Sequence, residues 1–169
     1  GSSWLVYHKD LGGTKYLALN NTNAAVTLNL FFNDTDPTSD LFTVGSGIGV
    51  NGSGNTYIAY LFASLDGVSK VGSYTGTGST LNIDCGFSSG ARFVLIKRTD
   101  NQSPWWVWDS ERGIVSGNDP WLELNSTAAE NTSTDYIDPY SSGFALTPDG
   151  NWLYGMNYPS GSYIFYAIA

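Results

Sequence analysis

The chain has 169 residues, of which 15% are aromatic and only 13% are charged, and its formal net charge is −8. This length allows one large domain or two small ones. The acidity disfavours a nucleic acid partner, because the phosphate backbone would be repelled. No apolar run approaches the roughly 20 residues that a membrane-spanning helix needs.

The residue pattern along the chain predicts an all-β protein. Gly occurs 20 times, and short apolar runs alternate with turns rich in Gly, Asn, Ser and Asp. We predict an antiparallel β-sandwich, with no helix longer than one turn. The predicted strands are residues 4–8, 16–20, 24–32, 41–44, 57–63, 68–74, 79–83, 92–97, 105–108, 121–125, 143–147, 151–156 and 163–169.

Two of these predictions depend on specific residues. Residues 57–63 are apolar on both faces, which is typical of a strand in the centre of a sandwich. Cys85 is the only cysteine, so no intrachain disulfide can form, and we interpret it as a small buried apolar residue.

Comparison of the two halves of the chain predicts an internal duplication. Four blocks recur in the same order, at an offset of about 101 to 107 residues. They pair residues 4–7 with 105–108, residues 16–24 with 121–129, residues 41–44 with 143–146, and residues 53–63 with 160–169.

The duplication divides the chain into two repeat units. Residues 67–169 are predicted to be a complete second unit, and residues 1–66 the back half of a first one. Either the chain is part of a longer protein, or both flanks share the central stretch within one body. Half a sandwich exposes strand edges. Residues 1–66 therefore need to pack on the second unit, on preceding sequence or on a neighbouring subunit. Residues 4–63 also need a substitute for the absent FVLIKR strand, and we expect a preceding-domain or intermolecular contact to supply it.

Several segments together resemble a repeat domain of large structural proteins from tailed phages and prophages, mainly of marine bacteria. Nearly the whole chain is covered, closely in the first copy and more loosely in the second. There Asp109 stands for His8, and residues 151–158 depart from the usual loop. The segments are YTGTGS (74–79), FVLIKRTD (93–100), WLVYHKDLGGTKYLALNNTNAAVT (4–27), FFNDTDPTS (31–39) and VNGSGNTYIAYLFA (50–63).

This resemblance implies a virion component on the outside of the particle, folded as an antiparallel β-sandwich of jelly-roll or lectin-like type. We expect a tail fibre, receptor-binding or capsid decoration protein that acts by adhesion to host surface glycans, by structural assembly, or by both. Its partners would be other copies of itself, with a trimer favoured for a fibre, and other virion proteins. Two alternatives stay open: a purely structural spacer without a ligand, and a secreted bacterial adhesin or carbohydrate-binding module.

The chain offers little for catalysis, so we predict that it is not an enzyme. A Ser-His-Asp or Cys-His arrangement would need His8, the only histidine, whose repeat counterpart is Asp109. We interpret His8 as an ordinary surface residue. A glycosidase would instead need two carboxylates about 5 to 10 Å apart in a groove.

One acidic turn is a candidate metal site. Asp34 and Asp36 place two carboxylates on alternate residues, and Asn33 could add a carbonyl, as Ca²⁺ sites require. Asp135 and Asp138 are the nearest counterparts in the second copy. The plain interpretation is a solvated turn. We predict no cofactor, and Ca²⁺ bound at this turn is the alternative.

Aromatic side chains are the better candidates for ligand binding, because ring faces stack on sugars. Trp105, Trp106 and Trp108 put large rings on both faces of one strand. The alternative for each ring is packing in a core or an interface. Trp152 and Tyr158 face the same choice, and they border the loop in which the two copies differ.

Overall fold

A computed structural model describes residues 3–148 and 155–169 of the chain. Strands predominate, and the two helices are single turns. The elements are β1 (Leu5–Val6), β2 (Lys15–Ala18), β3 (Val26–Thr27), α1 (Asn29–Phe32), α2 (Ile48–Asn51), β4 (Ser69–Thr75), β5 (Leu81–Asp84), β6 (Phe93–Arg98), β7 (Trp105–Asp109), β8 (Leu122–Glu123), β9 (Ile137–Tyr140), β10 (Gly143–Leu146) and β11 (Ser162–Ile168). None of the helices among these residues is long and apolar enough to cross a membrane.

Residues 67–169, which we call the second region, form two antiparallel sheets around one core. One sheet has the strand order β4-β11-β6-β7-β8, and the other has the order β5-β10-β9. Phe144 of β10 meets Phe165 of β11 edge to face, with ring centroids 5.4 Å apart. This arrangement confirms the predicted all-β, antiparallel fold. The buried core residues are Ile83, Cys85, Phe87, Val94, Ile96, Trp106, Trp108, Ile137, Phe144, Leu146, Met156, Tyr163, Phe165 and Ala167.

Residues 3–66, the first region, place a small sheet against the outer face of the five-stranded sheet. Its strands are β1, β2 and β3. Leu17 of β2 packs with Trp105 and Ile164, whose side chains point away from the main core because neighbours along a strand alternate between faces. The N–H of Ala25 donates to the Thr99 carbonyl at 2.9 Å. This part of the first region therefore packs on the second region, which is one of the three possibilities that the sequence left open.

Three predicted strands of the first region are wrong. Residues 24–32 form only the two-residue strand β3 before α1, which ends at Asn33 in the left-handed conformation (φ 54°). Asparagine tolerates that conformation, which ends the helical turn. Residues 41–44 and 57–63 are irregular, although their sequences favour strands. An extended segment becomes a strand only when a neighbour accepts its backbone hydrogen bonds.

The second region differs less from the predictions. The sequence did not predict β9, which contains Pro139; proline is tolerated there because β9 is an edge strand. Of the predicted strand 151–156, only residues 155 and 156 are described, and they are not in a strand. Cys85 is buried as predicted, with 5% of its surface exposed.

Candidate functional site

The β1–β2 pair of the first region and the β7–β8 pair of the second region have the same local structure. In β1–β2, Val6 pairs with Leu17, and in β7–β8, Val107 pairs with Leu122, which is the register that the sequence repeat gives. The asparagine that follows each hairpin also makes the same contact. Asn20 Oδ1 accepts the N–H of Trp4 at 3.1 Å, and the equivalent asparagine accepts that of Trp105 at 2.7 Å.

The two regions differ in how residues 57–63 and their repeat counterpart, β11, are placed. In β11, Ile164 and Ala167 are buried between neighbouring strands. In residues 57–63, Ile58 is 77% exposed and Leu61 74% exposed. Within the described part of the chain, no group accepts a hydrogen bond from a backbone N–H of residues 57–63. We call residues 57–63 the exposed segment.

The exposed segment belongs to a long run without charge. Residues 41–65 contain no Asp, Glu, Lys, Arg or His. Proteins usually protect an exposed edge with charged residues, because an uncharged β-prone segment pairs readily with other chains. The large apolar side chains exposed in this run are Leu41, Phe42, Val44, Ile48, Tyr57, Ile58, Tyr60, Leu61, Phe62 and Leu65.

Tyr57 fixes the start of the exposed segment. Its hydroxyl donates to the Ile48 carbonyl at 2.6 Å and accepts the N–H of Gly52 at 2.8 Å, which are nine and five residues earlier. Tyr163, its repeat counterpart, makes the same two types of contact with main-chain groups eight and five residues earlier. The loop that leads into the exposed segment is thus built like the loop that leads into β11.

Two aromatic contacts hold the exposed segment on the molecule. The Tyr60 ring stacks on Trp4, with centroids 6.2 Å apart, and Phe62 lies 5.0 Å from Tyr166 on the outer face of the five-stranded sheet. Trp4 itself is 55% exposed. These contacts leave most of the segment open to solvent.

A cleft of about 450 Å³ lies beside the β1–β2 hairpin. Tyr16 meets Phe31 edge to face in its wall, with ring centroids 4.7 Å apart. In the second region, the repeat counterpart of Tyr16 is Trp121, which meets Tyr136 at 6.0 Å beside a closed core. The cleft therefore lies where the second region has its core, but side chains do not fill it. Its apolar lining residues are Leu5, Leu17, Ala18, Ala24, Val26, Phe31 and Ile48.

The three tryptophans of β7 are packing residues in this structure. Trp106 and Trp108 stack on each other inside the main core, at 6.3 Å. Trp105 points to the outer face, and its Nε1–H donates to the Ala18 carbonyl at 3.0 Å. Because at most 4% of each side chain is exposed, no ring face is open to a sugar. The structure thus favours the packing interpretation over ligand stacking for all three.

These packing contacts join the two regions into one body, and a single family model covers both, over residues 1–169. The chain belongs to the DUF7483 family. The family is described as a domain of unknown function. No curated protein and no solved structure matches the chain. The virion resemblance therefore stays a prediction.

Tyr158 is the predicted ligand residue whose ring is accessible, with 38% of its surface exposed. The Arg98 guanidinium lies 4.8 Å from its ring centroid and forms a bidentate ion pair with Asp100. The side-chain hydrogen bond that Arg98 donates to Asp100 raises the pKa of Arg98. This corner offers a ring beside fixed polar groups. Trp152, the other predicted residue of this loop, lies outside the described residues.

The acidic turn of the first region is occupied by internal contacts. Asp36 Oδ1 accepts the N–H of Gly13 at 2.6 Å and the Tyr7 hydroxyl at 3.2 Å, and burial raises the pKa of Tyr7 to about 12. Gly13 has to be glycine, because a Cβ there would overlap the backbone of Thr35. Asp34 is exposed in the left-handed conformation. Asp36 thus fixes the turn, and Ca²⁺ binding by Asp34 and Asp36 stays a prediction.

Three carboxylates of the second region each have one buried oxygen without a hydrogen-bond partner among the described residues. They belong to Asp119, Asp135 and Asp138. Burial is the main cause that raises the pKa of Asp119 to about 6, and the charges of the other two add to it. Within residues 3–148 and 155–169, no group of three or more His, Cys, Asp or Glu side chains is placed to hold a metal ion.

The burial of two charged or titratable residues, His8 and Lys97, was not predicted from the sequence. His8 is only 8% exposed, and burial lowers its pKa, so it is not the surface residue that we expected. Lys97 is fully buried, and its ammonium donates to the carbonyls of Thr22 at 3.1 Å and Ser103 at 2.6 Å. His8 of the first region and Lys97 of β6 are both buried where the two regions meet, and no sequence signal shows that this face of the sheet is covered.

Proposed function

We propose that the chain is an assembly module of a virion surface protein, located outside the cell, which joins other polypeptides through its first region. The observation that carries this proposal is the exposed, uncharged segment 57–63 within residues 41–65. A large exposed apolar surface of this kind is typical of a protein–protein contact. The resemblance to repeat domains of phage structural proteins supports the virion setting.

The burial of the β7 tryptophans supports assembly rather than adhesion as the main activity. A ligand-stacking role needs an exposed ring, whereas a structural module packs its rings inside. Trp105, Trp106 and Trp108 are all buried. We also propose that the chain is not an enzyme.

Sedimentation velocity of the full chain tests assembly, alone and mixed with candidate virion proteins. We expect the wild type to associate, and the double variant Tyr60→Lys/Leu61→Lys to lose association because two charges enter the contact. The matched control is Val115→Lys/Leu124→Lys, which alters two similarly exposed apolar residues of the second region. Equal association of the two double variants would contradict the proposal.

Adhesion to host surface glycans is a second candidate function, favoured by Tyr158 alone. Its exposed ring lies beside the Arg98–Asp100 ion pair, so a stacking face and polar groups occur together. A glycan array with the intact protein should show binding that Tyr158→Ala removes and Tyr158→Trp retains. An array without signal for the wild type would remove this candidate.

A further inference from the structure

Each segment of the first region that lacks a strand partner is the repeat counterpart of a strand that has one in the second region. Residues 57–63 share four of seven residues with 163–169 at a constant offset. In that stretch, β11 pairs with β4 on one side and β6 on the other. No residue of the first region supplies either partner.

The same strands are missing elsewhere in the first region. Residues 41–44 are the counterpart of β10, which pairs with β5 on one side, and β1 is the counterpart of β7, which pairs with β6. In the described structure, residues 41–44 are not in a strand, and β1 pairs only with β2. Residues 41–44 also lack the pairing that β10 makes with β9, whose counterpart, residues 35–38, lies within the first region. The absent neighbours that have no counterpart in the first region thus correspond to β4, β5 and β6, which occupy residues 69–98.

The cleft beside β1–β2 supports the same conclusion from packing. In the second region, Trp106 and Trp121 pack in a core to which β6 contributes Val94 and Ile96 and β5 contributes Ile83. The first region holds Leu5 and Tyr16 at the positions of those tryptophans, and both line the cleft. The core residues that β5 and β6 contribute are therefore among those that the first region lacks.

We propose that the first region binds a polypeptide segment with strands of the β4, β5 and β6 type, and that the exposed segment becomes the central strand of the sheet so formed. The partner would be recognised by backbone pairing along residues 57–63 and by apolar side chains that fill the cleft, which is strand addition to an open sheet. This inference rests on the proposed assembly function and names the partner.

The strands β4 and β6 of a second copy of this chain are not the favoured partner. They are already paired with their own β11 along its length. To insert the exposed segment of another molecule, β11 would have to leave, and one apolar strand would be exposed for each one that is covered. A segment whose β4, β5 and β6 counterparts are unpaired has no such cost.

The test supplies the partner within one polypeptide. A second copy of residues 67–104 is fused through a flexible Gly/Ser linker ahead of the full chain, in the order that the second region has. We expect backbone amides of residues 57–63 to exchange with solvent at least about 100-fold more slowly than in the unfused chain, because they become hydrogen bonded. Val94→Pro in the added copy alone should abolish the protection, since proline cannot continue the ladder.

Register is tested with a disulfide, in a background with Cys85→Ala in both copies. Tyr166 pairs with Leu95 in the second region, and Tyr60 is the counterpart of Tyr166. Tyr60→Cys with Leu95→Cys in the added copy should therefore cross-link about tenfold faster than Tyr60→Cys with Ile96→Cys, whose side chain points to the opposite face. Equal cross-linking rates, or unprotected amides in the fusion, would overturn the inference.

The outcomes separate this inference from the proposed function. If the full chain associates through Tyr60 and Leu61 but the fused segment gives no protection, the assembly function stands and the named partner is wrong. If the fusion is protected but neither the chain nor its mixtures associate, strand addition is a property of the fold and the assembly function fails.

Discussion

The exposed segment and β11 have similar sequences but different structures. Residues 57–63 and 163–169 share Tyr, Ile, Tyr and Ala at equivalent positions. The loops before them are fixed by the same tyrosine contacts. Yet β11 is a central strand, whereas residues 57–63 form no strand pairing with any of the described residues. Turns and hairpins thus form from local sequence in both regions, whereas a strand forms only where neighbours accept its hydrogen bonds.

The largest expected effect is a difference in the free energy of unfolding between a substitution in the closed core and one in the exposed segment. Phe144→Ala removes a fully buried ring that packs on Phe165, so we expect a loss of about 3–5 kcal/mol in the free energy of unfolding. Phe62→Ala removes a ring that is 64% exposed, and its loss should be below about 1 kcal/mol. Urea denaturation measures both, and equal losses would show that the two regions are equally closed.

Lys97 tests the contact between the regions. Lys97→Met leaves the carbonyls of Thr22 and Ser103 without their buried donor, and we expect a loss of about 1–3 kcal/mol at pH 7. A Lys97→Met loss near zero would mean that the first region does not depend on this contact.

The stability difference between the wild type and Lys97→Met should change with pH in one direction. Burial lowers the pKa of Lys97 to about 8 in the folded protein, so the unfolded chain binds this proton more tightly. The proton-linked contribution of Lys97 to stability therefore increases as pH rises from about 8 to 10.5, and below pH 8 it stays constant at its lowest value. The wild type should gain stability relative to Lys97→Met over that window, as followed by urea denaturation at each pH.

Asp119 tests the polar part of the second region. Its Oδ1 accepts the N–H of Val115 at 2.8 Å, while Oδ2 is buried without a partner among the described residues. Asp119→Asn keeps an acceptor for Val115 and removes the buried charge. Because burial raises the folded pKa to about 6, the contribution of Asp119 is fully present below about 4 and is lost as pH rises through 6.

We therefore expect Asp119→Asn to be more stable than the wild type above pH 6, by about 1–2 kcal/mol. Below pH 4 the two should converge. Thermal unfolding at a series of pH values between 4 and 7 measures this difference. A wild type that is the more stable protein at pH 7 would show that a cation or another group compensates the Asp119 charge.

The smallest effect concerns thiol reactivity, which does not change stability. Burial raises the pKa of the Cys85 thiol to about 11, so little thiolate forms at pH 8. A cysteine in the exposed segment, Tyr60→Cys, should react with a thiol reagent at least roughly 100-fold faster than Cys85 in the folded protein. Similar rates at both sites would show either that the core opens or that residue 60 is covered.

The site could be predicted from the sequence only in part. The repeat identified residues 57–63 as the counterpart of a central strand, and the alternation along β6 and β7 placed apolar side chains on both faces of a sheet. Nothing local showed that the first hairpin covers the outer face of that sheet. Trp105 and Lys97 are therefore buried where a half-solvated sandwich would have left them in contact with water.

The sequence by itself determined the all-β class, most strands of the second region, the burial of Cys85 and the hairpins, because these depend on residues close in the chain. Only the tertiary structure decided which strands find partners, since those partners lie up to about a hundred residues away. Residues 57–63 have the sequence of a central strand, but pairing is a property of two segments. The structure places only one of them in the first region.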